Sequence, residues 1–200
     1  ERKLNHISAR LRRFLGSDSE IEFTVERGVL SILQTRSAQL ELHFSPRTFR
    51  DPGPPDGRGI GISGGAFRGV VAFNEEDVKR VSGLAEQKPA ELDGVLLVLE
   101  NPIPDEIPLI LSVDGLLAAR GGSTSHAAVA IHGIDDRPYA AVLGVADLRV
   151  GHNEAALVDA QGETTALIKS GDILSIHGQT GDLFKGSLPV LSTDPESSET

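Results

Sequence analysis

Apolar residues near the start of the chain recur at helical spacing: Leu4, Ile7, Leu11, Phe14 and Leu15. That pattern predicts a short amphipathic helix, stopped by Gly16-Ser17-Asp18. The period then drops to two. Ile21, Phe23 and Val25 fall on one face, and Glu22 and Thr24 on the other. A turn at Glu26-Arg27-Gly28 and a second run, Val29 to Gln34, complete a predicted β-hairpin. One helix and one hairpin cannot enclose a proper core, so they read as the tail of a larger domain.

Ser45 to Gly59 holds Pro46, Pro52, Pro54 and Pro55 among several glycines. Such a stretch suits neither a helix interior nor a central strand. It predicts a partly stiff hinge over 45–58 that lets a following domain swing as a body. Gly59-Ile60-Gly61-Ile62-Ser63-Gly64 fits the dinucleotide pattern G-x-G-x-x-G, but a linker precedes it and strand-like Val70–Phe73 follows. A dinucleotide fold needs the strand before and the helix after, so these glycines read as a bend. A charged helix is expected over 75–88 and a buried strand at Val95–Leu99. Pro104 to Ile107 reads as a short helical turn, and Gly115–Ala118 as another strand. Beyond a slim Ala-rich helix after residue 126, strands are expected near 139–142, 156–158, 165–168 and 173–176, with turns at Gly171-Asp172 and Gly178–Asp182. The Ser-, Thr- and Glu-rich 191–200 reads as a flexible tail.

Composition narrows the classes. The 200 residues carry a net charge of −10, which argues against a nucleic-acid partner. Arg10-Leu11-Arg12-Arg13 reads as the solvated face of the first helix. The absence of cysteine excludes disulfides and thiolate chemistry and fits a cytoplasmic setting. No apolar run approaches the length of a membrane span. The absence of Met, including at position 1, suggests an excised piece.

The most informative stretch is Gly121-Gly122-Ser123-Thr124-Ser125-His126-Ala127-Ala128-Val129. Two glycines permit a tight turn, the hydroxyls offer capping oxygens, and His126 falls in the first turn of a helix. Backbone N–H groups point outward there, and the dipole favours an anion. A neutral imidazole in that place is a competent nucleophile for a phosphoryl group. Gly122, Thr124 and Ser125 would support the bound phosphate and Arg120 would pair with it, with Thr124 expected as the helix N-cap. His132, six residues after His126, falls on another helix face, unlike a metal pair. No metal held by histidine is expected.

The run Ala119 to Val129 resembles the signature of the swivelling phosphohistidine domain of phosphoenolpyruvate-utilising enzymes, with the pyruvate, phosphate dikinase group as the nearest match. Ile21-Glu22-Phe23-Thr24 with Leu33-Gln34-Thr35-Arg36 is similar to the end of the ATP-grasp domain of the same enzymes. The resemblance implies an α/β chain: a β/β/α swivelling domain (59–190) preceded by the C-terminal helix and hairpin of an ATP-grasp domain (1–44). It implies that Glu22 ligates Mg2+, that Gln34 and Arg36 contact ATP, and that His126 carries phosphate from ATP to pyruvate. The implied partners are the ATP-grasp domain and a pyruvate-binding barrel of a parent enzyme, itself a homodimer. The alternatives are the carrier of a phosphoenolpyruvate synthase or antibiotic phosphotransferase, or a non-catalytic regulatory module of the same fold. Departures from the family pattern include His132 in place of an Arg, His177 in place of an Asp, and Ser63-Gly64-Gly65-Ala66 without the usual proline.

Overall fold

A computed structural model describes residues 2–15, 19–37, 47–134 and 137–191. The chain divides into two compact units, Glu1–Glu41 and Leu42–Thr200. In the first, helix α1 (Arg2–Leu15) precedes the antiparallel hairpin of β1 (Ser19–Glu26) and β2 (Val29–Ser37). Arg27 and Gly28 both have positive φ (49° and 78°), the backbone of a two-residue turn whose twist matches its strands. The register slips by one between the pairs Glu22–Gln34 and Phe23–Ile32, leaving Leu33 as the extra residue of a bulge. Phe23, Val25, Val29 and Leu33 are exposed, so this unit leaves much apolar surface uncovered.

In the second unit, β3 (Thr48–Phe49), β4 (Gly57–Arg58), β5 (Ile60–Ser63) and β6 (Ala66–Ala72) come first, followed by α2 (Glu75–Gln87) and β7 (Gly94–Leu99). A 3-10 turn (Pro104–Glu106) leads into α3 (Ile107–Leu111), β8 (Gly115–Ala118), α4 (His126–His132) and β9 (Ala140–Leu143). Then come β10 (Leu148–Val150), β11 (Glu154–Val158), β12 (Thr164–Lys169), β13 (Ile173–His177), β14 (Asp182–Lys185) and β15 (Val190–Leu191). An eight-stranded sheet runs β4-β14-β13-β6-β7-β8-β9-β5. Its middle strands, β6 to β9, are parallel and its flanks antiparallel.

Alternation along the middle strands sorts their side chains into two cores. Val70, Ala72, Leu97 and Leu116 join Val81 of α2, Ile110 of α3 and Ala127, Ala128 and Ile131 of α4. Val71, Leu96, Val98 and Leu117 join Leu148, Leu157 and Ile168 of the three-stranded sheet β10-β11-β12. The result is small sheet, large sheet and helices in layers. A strand covered on both sides reads as a continuous apolar run, as Val95–Leu99 does. Helix α2 starts where Asn74 accepts the Asp77 N–H (2.9 Å), with Glu75, Glu76 and Asp77 in the first turn.

The Pro-rich stretch expected as a partly stiff hinge is bonded to the rest of the second unit from Arg47 onward. Ala66 N–H donates to the Arg47 carbonyl (3.0 Å), Arg50 N–H to Pro189 (2.9 Å) and Asp56 N–H to Leu183 (2.9 Å). The prolines lack a donor, but Arg50 between them and Asp56 after them find acceptors beside β15 and on β14. Within this stretch β3 pairs with β15 and β4 with β14, so Leu191, assigned in the sequence to the tail, lies in a strand. Residues 192–200 and 38–46 lie outside the described residues. Among the described residues no helix is long and apolar enough to cross a membrane.

One glycine holds the turn after β13 against β5. A Cβ on Gly178 would lie 1.6 Å from the Ser63 carbonyl oxygen. Nearby, His177 accepts the N–H groups of Gln179 and Thr180 on Nδ1 (3.4 and 3.3 Å), and its ring stands edge-on to Phe49. Burial depresses its pKa, against the opposing pull of Asp182. Asp93 is half-buried, which raises its pKa, but bonds from Arg68 and Arg47 more than reverse that and hold it low.

Two outcomes follow from this packing. Leu117→Ala, at a site with no exposure, should cost about 2–5 kcal/mol of unfolding free energy. Leu167→Ala, on the half-exposed side of β12, should cost within about 0.5 kcal/mol, both read from urea midpoints. Stability against pH should show two losses. Because the folded His177 has the lower pKa, its contribution is complete above about pH 6.5 and falls as pH drops from there through its folded value. Because Asp93 is also depressed, its contribution holds above about pH 4 and is lost as pH falls through its folded value. In His177→Gln the upper loss should disappear while the lower one persists.

Candidate functional site

The histidine loop begins where β8 ends. Parallel pairing of β7 with β8 continues past the strands, so that Arg120 N–H donates to the Glu100 carbonyl at 2.9 Å. The chain then turns through Gly121, whose φ of +105° favours a residue without a Cβ. Beneath it lies Gly144, where a Cβ would come within 2.8 Å of the Gly121 carbonyl oxygen. The carbonyl of Gly122 accepts Ser125 N–H (3.0 Å), closing a turn around Ser123 and Thr124.

Ser125, not Thr124, is the helix N-cap. Its extended backbone lets Oγ accept the Ala128 N–H (3.2 Å), while its carbonyl accepts Val129 N–H. One position decides the matter: Ser125 directly precedes the first helical residue, so its oxygen reaches the third N–H of the helix. His126 is that first residue and is exposed. Ala127 and Ala128 are fully buried, and their small side chains seat α4 against the sheet. His126 is thereby displayed on a short helix whose other face is anchored.

Arg120 is held rather than loose. Its Nε donates to Glu100 Oε1 (3.1 Å), and the other carboxylate oxygen accepts Val150 N–H from β10 (3.1 Å). Glu100 therefore ties together the ends of three strands beside the loop. Sequence reasoning missed this residue. The signal available was an acid directly after the apolar run Val95–Leu99, but its meaning depends on the β7–β8 register.

The residues matched to a nucleotide site lie in the first unit. Glu22 and Gln34 stand directly opposite each other across the hairpin and both are exposed, while Arg36 is in register with Glu20. Among the described residues no group of three His, Cys, Asp or Glu side chains is placed to hold a metal ion. Magnesium is usually bound through one or two carboxylates together with phosphates and waters. Glu22 fits as one such oxygen ligand to an ion carried by nucleotide phosphates, and not as a metal site by itself.

Residues 91–181 match the family described as PEP-utilising enzyme, mobile domain, a span that includes Arg120, the whole histidine loop and α4. Over 220 aligned residues the chain is 29% identical to a pyruvate, phosphate dikinase of Rhizobium meliloti, covering 92% of this chain and 23% of that enzyme. It is 28% identical to the pyruvate, phosphate dikinase of Entamoeba histolytica, covering 94% of this chain and 23% of the relative. The chloroplastic pyruvate, phosphate dikinase of Flaveria pringlei is 34% identical over 69% of this chain and 13% of its own length. The chain thus spans at most about a quarter of these relatives. Residues 91–181, the histidine loop among them, thus match the mobile domain of PEP-utilising enzymes, and most of the chain is similar to part of pyruvate, phosphate dikinases.

Proposed function

We propose that this chain is the phosphoryl-carrier portion of a pyruvate, phosphate dikinase-like phosphotransferase, with His126 as the group that carries phosphate. The observation that supports it most is the exposed His126 on a capped, anchored helix within the mobile-domain match. Residues 59–190 are then the swivelling domain, 1–44 the end of an ATP-grasp domain and 45–58 the connection, bonded to the carrier from Arg47 onward. The uncovered apolar face of the hairpin agrees with a unit that is completed by more of an ATP-grasp fold.

In this reading an imidazole nitrogen of His126 attacks the β-phosphoryl group of ATP in line as AMP leaves, and inorganic phosphate then takes the terminal phosphoryl group away as pyrophosphate, leaving one phosphoryl group on His126. The transition state needs positioning and charge stabilisation more than covalent help. The N–H groups of His126 and Ala127 precede any helical carbonyl partner and face the transferred group. Arg120, with its Nε fixed by Glu100, offers the remaining edge of its guanidinium to phosphoryl oxygens. The hydroxyls of Thr124 and Ser125 border the same space. Gln34 and Arg36 contact the nucleotide. Glu22 would hold Mg2+ together with the nucleotide phosphates, and the ion would supply charge neutralisation there. The carrier then delivers phosphate to pyruvate at a barrel domain of the parent enzyme, forming phosphoenolpyruvate.

The test uses the full-length enzyme with radiolabelled ATP and Mg2+. Acid-labile, base-stable phosphate should appear on His126, and none in His126→Gln. Arg120→Gln should slow phosphohistidine formation at least about tenfold, equivalent to about 1.4 kcal/mol of barrier. Formation of phosphoenolpyruvate from pyruvate should require inorganic phosphate and release pyrophosphate. Turnover without inorganic phosphate would favour the synthase, and an unlabelled His126 would leave a non-catalytic module.

A further inference from the structure

We propose that a cavity at the N-terminal ends of β7 and β8 binds a small organic anion, an apolar body bearing a carboxylate or phosphate ester, separately from the histidine loop. The cavity measures about 440 Å³, within the range of small-molecule sites. Asp93 directly precedes β7 and Asp114 directly precedes β8, and both line it. The histidine loop leaves the other end of β8, so the two places lie at opposite ends of one strand.

Its polar groups favour an acceptor over a donor. Asp93 is engaged by the Arg68 N–H, Nε and Nη2 (2.8, 3.0 and 3.1 Å) and by Arg47 Nη2 (2.6 Å). Asp114 accepts the Val95 N–H (2.9 Å) and Arg137 Nη1 (3.2 Å). The Tyr139 hydroxyl is spent on the Ile110 carbonyl at 2.8 Å. Arg137 is different: among the described residues, one of its five donors goes to Asp114 and one to the Leu111 carbonyl. Its guanidinium lies over the Tyr139 ring, 5.5 Å from the centroid, a cation–π contact that holds it at the cavity wall. A planar cation with donors to spare recognises an oxyanion. Phe67, Ile134 and Pro138 complete the wall and suit an apolar body.

The experiment is an NMR titration of the 200-residue chain with benzoate, phenyl phosphate, inorganic phosphate and benzyl alcohol, following the amides of Gly64, Gly65 and Tyr139. Benzoate or phenyl phosphate should perturb these saturably, and the tighter of the two identifies the oxyacid. Inorganic phosphate and benzyl alcohol should bind at least about tenfold more weakly. Arg137→Gln should weaken the tighter probe at least about tenfold, and His126→Ala should leave it unchanged. Should Arg137→Gln unfold, Arg137→Lys carries the test: it keeps the charge beside Asp114, loses the fork, and should still weaken binding. No saturable change, shifts centred on Gly121–His126, or undiminished binding in the Arg137 variants would overturn the proposal.

Discussion

The constraint on which the second unit depends is that four parallel strands must be covered on both faces. Leu96, Leu97, Leu116 and Leu117 are wholly buried, adjacent residues facing different cores. Removing either layer would leave a row of leucines and valines in water, at roughly 1.5–3 kcal/mol for each large side chain. The helices on one side and the small sheet on the other are therefore equally obligatory. Rigidity at the end of β8 follows, since that strand cannot shift toward either layer without opening a void. A loop grown from its end inherits that fixity.

That origin explains the economy of the histidine loop. Backbone and small side chains do most of the positioning: Gly121 and Gly144 permit close approach, Ser125 closes the helix end, and two alanines seat it. The departures from the family pattern fall away from this core of the motif. His132 lies at the far end of α4, and His177 makes a turn of its own that accepts two backbone N–H groups, a part an Asp carboxylate could also play.

Legibility in the sequence followed how local the cause was. The run Val95–Leu99, the charged helix after residue 75 and the hairpin around Arg27-Gly28 were readable because composition, period and turn act over a few residues. Strand β5 was read as a bend because Gly59–Gly64 is dominated by glycine, yet these glycines serve close packing, Gly61 against Gly178 and Gln179 and Gly59 against Leu143 and Val145. Strand β14 offers only Leu183 and Phe184 beside a turn, too short a pattern to stand out. At the site, His126 and its cap lay in one contiguous motif, whereas Glu100 reaches Arg120 only through strand register. The cavity was invisible for the same reason, since its wall gathers residues from Arg47 to Ala140.

The pairing of β3 with β15 has a mechanical consequence. Thr48–Phe49 and Val190–Leu191 lie side by side, so the polypeptide enters and leaves this body through a single neck. The same arrangement suits insertion into a host chain, because both junctions need to be accommodated at one place only.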